Sequence, residues 1–98
     1  MKLYLPHINY TVHVKRMSAT RKPFSDALAS THDNDKRSCT IYLPAKAPGS
    51  VITHEIVHAL QFIARSRGMD FYGEMEHFGY IAQYLFMRIT GGQWDNRA

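Results

Sequence analysis

Ile8, Tyr10, Val12 and Val14 alternate with Asn9, Thr11 and His13, and that period of two predicts a half-buried strand over 8–14. "PFSDALAS" reads as a short helix, with Pro23 suited to its first position and Asp26 to its first turn. "THDNDKR" after it carries turn chemistry. "SCTIYLP", 38–44, is a second β-favoured run that Pro44 stops, and "AKAPGS" loops to a candidate N-cap at Ser50. The pattern then changes period. Ile52, Ile56, Ala59 and Ile63 recur at helical spacing and predict a helix over 50–67, with Arg65 and Arg67 in the last turn and Gly68 as a left-handed cap. Phe78, Ile81, Ala82, Leu85, Phe86 and Ile89 predict a second helix over 70–90, ended by Gly91 and Gly92. The tail from 93 to 98 is expected to be loose except where Trp94 covers a surface.

Two short strands beside a helical pair predict an α+β domain: a sheet of two to three strands packed on an antiparallel pair of helices. Ninety-eight residues make one domain with a thin core. The 45 % hydrophobic and 20 % charged content is that of a soluble globular chain. Cys39 is the only cysteine, so no internal disulfide forms, and a bound metal would have to rely on histidine and carboxylate. With no signal-peptide pattern and no membrane span, the cytoplasm is the expected location. The net charge of +4 is scattered apart from "VKRMSATRK", a pattern of solvated faces with no nucleic-acid motif.

Chemistry concentrates in "SVITHEIVHALQFI", 50–63. On a helix His54 and His58 lie about 40° apart on one face, so both imidazoles can reach one zinc ion. Glu55 lies beside them, where a carboxylate can act as general base toward a metal-activated water, the logic of HExxH peptidases. The core stripe of this helix lies almost opposite the two histidines, so the helix would lie on the core with its metal face turned into a cleft, where a pair without a metal role would be surface decoration. A third ligand is sought in "GEMEHFGYIAQYL", 73–85, which offers Glu74, Glu76 and His77. Glu76 lies across the second helix from its apolar stripe, whereas Glu74 sits at the stripe's edge. Gly79 permits close helix approach, and the Tyr80 phenol could donate to a developing oxyanion.

"HEIVHALQFI" followed by "EHFGYIAQYL" resembles the paired active-site helices of gluzincin-type zincin metallopeptidases, in particular the very small zincin-like proteins of phages and bacteria. The resemblance covers about 39–89, with Glu76, Gly79, Tyr80, Tyr84 and Leu85 fitting the second motif. It implies zinc (Zn2+) held by His54, His58 and Glu76, with Glu55 as general base. It also implies an edge strand before the metal helix, a role assigned to 38–44, along which a protein or peptide substrate could lie. His77 stands where relatives often carry a small residue, so a catalytic role beside Tyr80 is open for it. The alternative reading is a zinc-stabilised binding or inhibitor module, acting on a host protein if phage-encoded. His7, His13 and His32 lack helical partner spacing and are read as non-site residues. Met69, Met75 and Met87 are read as gap filling, Cys39 as a small buried residue, and Asp33 and Asp35 as turn formers.

Overall fold

A computed structural model describes residues 1–17 and 29–92. Four strands, β1 (Lys2–Leu5), β2 (Tyr10–Met17), β3 (Ser30–Asp35) and β4 (Ser38–Pro44), are followed by helices α1 (Gly49–Arg67) and α2 (Met75–Thr90). The sheet order is β1-β2-β4-β3, with β1 antiparallel to β2, β2 parallel to β4 and β3 antiparallel to β4. The α+β class is as expected; the sheet is mixed and has one strand more than the upper expectation.

Register explains which residues face the core. Leu3 pairs with Val12 and Leu5 with Tyr10, and Val12 and Val14 pair with Cys39 and Ile41. One face of three strands is therefore a continuous apolar surface. Ile52, Ile56, Ala59 and Ile63 from α1 cover it together with Phe78, Ile81, Leu85 and Ile89 from α2, and all of these are buried. Both helices thus present the stripe that their spacing predicts.

Four expectations need correction. The segment 31–37 is mostly strand: β3 pairs Thr31 with Ile41 and His32 with Thr40, and only Lys36 and Arg37 turn. Asp35 Oδ1 accepts from Arg37 N at 2.7 Å, so turn chemistry is present but confined to the hairpin's end. In consequence β4 is not an edge strand; it lies between β2 and β3, and β3 is the end strand. At α1 the N-cap is Pro48, with no side-chain cap, and its carbonyl accepts from Val51 N and Ile52 N. Ser50 therefore lies inside the helix. Finally, α2 opens at Met75 instead of Asp70. Asp70 organises a turn there, its carboxylate accepting from Tyr72 N and its carbonyl from Glu74 N.

Both helices end as expected. Gly68 and Gly91 take left-handed conformations (φ 65° and 74°), and Arg65, Arg67 and Arg88 lie in the last turns. The expected helix over 23–30 falls almost wholly, and the tail at 93–98 wholly, outside the described residues. Among the described residues no helix is long and apolar enough to cross a membrane.

Candidate metal centre

The apolar face of α1 docks on the sheet, which turns His54 and His58 outward on the opposite side. Their Nε2 atoms converge to 3.2 Å, with the rings edge to face at 4.9 Å between centroids. Two imidazole nitrogens on one tetrahedral zinc sit roughly 3.3 Å apart, given Zn–N distances of about 2.0–2.1 Å. The separation is close to that of two positions on such an ion, although as placed the two nitrogens face each other as hydrogen-bond partners. Gln61, one turn on, has its Oε1 3.2 Å from His58 Nδ1. That carbonyl accepts only if Nδ1 carries the proton, which leaves the Nε2 lone pair free to ligate.

Glu55 is directed differently from its neighbours. It is 5 % exposed, and its Oε1 accepts from Thr31 Oγ1 of β3 at 2.6 Å. The same hydroxyl lies 3.2 Å from the Glu55 carbonyl oxygen. The carboxylate therefore lies between the histidine-bearing helix and the end strand of the sheet. Arg65 Nη2 reaches Asp33 Oδ2 at 3.5 Å and Arg67 donates to the Lys36 carbonyl, so contacts with α1 continue along β3 and its turn.

The remaining expected residues lie elsewhere. Glu76 is exposed in the first turn of α2. Among the described residues no group of three or more His, Cys, Asp or Glu side chains is placed to hold one metal ion. The late start of α2 supplies one reason. Glu76 lies one residue into its helix, near the level of the end of α1, whereas His58 lies nine residues before that end, about 13 Å deeper. Azimuth supplies another. Thr53 and Ile56 share a groove with Ala82, Gln83 and Phe86, so α2 flanks α1 on that side, and the histidines lie roughly 150° round the helix from it.

His77 and Tyr80 are not at the His54–His58 pair either. Both line a groove with Tyr4, Leu5 and Tyr84 on the β1 side of α2. Glu74 is the N-cap residue of α2, with Oε1 3.9 Å from His77 Nδ1. His77 Nε2 is 3.0 Å from Nε2 of His7, in the β1–β2 turn. Sequence reasoning passed over His7 because seventy positions separate it from its neighbour and no periodicity links a turn to a distant helix. Thr31 was missed likewise, its segment having been read as turn.

Cys39 is buried in the sheet, and burial pushes its thiol up to about 11. Tyr10 beside it is raised well above the usual phenol range, mainly by burial and next by the neighbouring Cys39. Neither is poised as a nucleophile or ligand. Comparison with family models, curated proteins and solved structures finds no match to this chain.

Proposed function

We propose that the protein is a zinc-dependent metallopeptidase acting in the cytoplasm on a peptide or protein substrate, with Glu55 as general base. The observation that carries this reading is the juxtaposition of an imidazole pair with a carboxylate at the end strand. His54 and His58 converge at 3.2 Å, and Glu55, the residue between them in the HExxH pattern, is held against β3 by Thr31. His54 and His58 would hold the ion, and by resemblance Glu76 would be the third protein ligand. Bringing Glu76 to the pair requires the start of α2 to repack towards α1. Bound zinc would supply Lewis acidity and a lowered pKa for a coordinated water.

The roles of the chain's own groups follow from their positions. An extended peptide laid on the outer edge of β3 would pair through backbone hydrogen bonds and run past Glu55. With Oε1 engaged by Thr31, Oε2 of Glu55 would be the atom to take a proton and return it to the leaving amine. Gln61 Oε1, 3.2 Å from His58 Nδ1, would support the tautomer that ligates through Nε2. The groove that contains His77 and Tyr80 is a separate feature, so neither is given a part in this chemistry.

The test is cleavage of a peptide library by purified protein with zinc and with chelator. Glu55→Gln is expected to keep the fold and the bound zinc and to lower cleavage by about 10² or more, and His54→Ala or His58→Ala to lose both zinc at this pair and activity. Wild-type protein that carries zinc on this pair and cleaves nothing would refute the peptidase. A second reading is a zinc-stabilised binding module, supported by the small size of a 98-residue domain, for which a structural metal is a common remedy. It predicts that Glu55→Gln leaves the biological effect intact.

A further inference from the structure

We infer that His7 and His77 build a metal site of their own, one that takes a borderline divalent transition ion such as zinc. The inference is independent of any activity at His54 and His58. It begins with two Nε2 atoms 3.0 Å apart on rings that are close to parallel, at 27° and 5.0 Å between centroids. With metal–nitrogen distances of about 2.0–2.1 Å, this separation gives an angle of roughly 95° at a shared ion. That suits two cis positions of a five- or six-coordinate ion, with water completing the shell.

Both rings are held by structure on either side. His7 sits in the turn between β1 and β2, after Pro6, and the turn is pinned by the Tyr4 hydroxyl donating to Asn9 Oδ1 at 2.9 Å. Asn9 itself takes a left-handed conformation at φ 50°, which asparagine tolerates better than most residues. His77 lies in the first turn of α2 and is followed by Phe78, which is buried in the core and stacks with Phe71. The backbone positions that carry the two imidazoles are therefore fixed relative to one another, and such placement raises affinity.

Glu74 Oε1 lies 3.9 Å from His77 Nδ1, too far for a good hydrogen bond but close enough to bring a carboxylate beside the pair. The two Nε2 atoms face each other. Without a metal, one Nε2–H donates to the other Nε2; with a metal, both rings carry their proton on Nδ1 and both lone pairs face the ion. Each ring is neutral when it ligates, and Glu74 offsets part of the ion's charge. The pair opens on a groove of about 270 Å³ that Tyr4, Tyr80 and Tyr84 also line, which leaves room for water on the open coordination positions. Bound metal would fasten the β1–β2 turn to the start of α2.

Zinc titration of the His54→Ala/His58→Ala double variant tests this, because it removes the other imidazole pair while leaving both residues here intact. One zinc per chain is expected to bind, accompanied by shifts of the His7 and His77 ring signals in nitrogen-15 NMR. Adding His7→Gln or His77→Gln should weaken binding at least tenfold, and Glu74→Gln should weaken it severalfold. His7→Gln changes a turn residue, so retention of the wild-type circular dichroism establishes that the loss is one of ligation. A folded double variant that takes up no zinc overturns the inference, as does binding that survives both glutamine substitutions. Failure of the His54–His58 site would appear separately, as wild-type protein whose zinc is lost entirely with His7→Gln.

Discussion

Thr31→Val removes the hydroxyl that donates to Glu55 Oε1 at 2.6 Å while preserving the β-branched shape that suits β3. Glu55 is 5 % exposed, so little water reaches Oε1 as a replacement partner, and an unsatisfied buried acceptor costs about 1–3 kcal/mol, more when it is charged. Urea unfolding of Thr31→Val should show a loss of at least that size, with an unchanged m-value. Thr31→Ser, which keeps the donor, should lose much less. If the valine variant is as stable as wild type, the carboxylate does not depend on Thr31 and its placement against β3 lacks this support. The same residue marks the limit of reading chemistry from spacing. His54 and His58 are adjacent on a helix by geometry alone, and their convergence was legible before any fold was known. Glu55 sits in the same short motif, yet its environment is set by a strand twenty-four positions away.

At the scale of the element, the helices were the legible part, because sixteen or more residues repeat one apolar period and glycine marks each C-terminus. Gly68 and Gly79 separate two roles of that residue. Gly68 has φ 65°, so Gly68→Ala pays the left-handed penalty of about 1 kcal/mol although nothing lies near its added carbon. Gly79 lies inside α2, with helical φ and open space around a built Cβ. Gly79→Ala should therefore stabilise by about 0.5–1 kcal/mol through helix propensity. Thermal melts that move the two variants in the same direction would contradict this assignment. The strands were harder to read. β2 shows clean alternation, whereas β1 is only four residues long and β3 is built from Ser, Thr, His, Asp and Asn. Such residues are depleted in strands, apart from threonine, and β3 forms through its pairing with the apolar β4. The edge role of 38–44 rested on resemblance, and β3 pairing with β4 removes it; the start of α2 at Met75, five residues after Asp70, leaves Glu76 only one residue into the helix.

For the whole molecule, the two imidazole pairs occupy opposite flanks of the fold. His54 and His58 project from α1, which packs against β4 and β3, whereas His7 and His77 join the β1–β2 turn to α2. While the start of α2 stays at His7, the two pairs share no residue and act on stability independently, and a ligand that binds only the folded state adds RT ln(1 + [L]/Kd), about 2.7 kcal/mol at a hundredfold excess over Kd. For a domain of this length that is roughly a 10–20 °C rise in melting temperature per saturated site, less whatever the unfolded histidines bind. Zinc should therefore raise the melting temperature of wild type in two separable parts. His54→Ala/His58→Ala should remove one part, His7→Gln/His77→Gln the other, and the fourfold variant should melt at one temperature with zinc or with chelator. Loss of the entire response in either double variant would mean that the pairs share one ion or that only one of them binds. A shared ion would require the start of α2 to approach His54 and His58, the same repacking that a Glu76 ligand needs, whereas binding at one pair alone requires none.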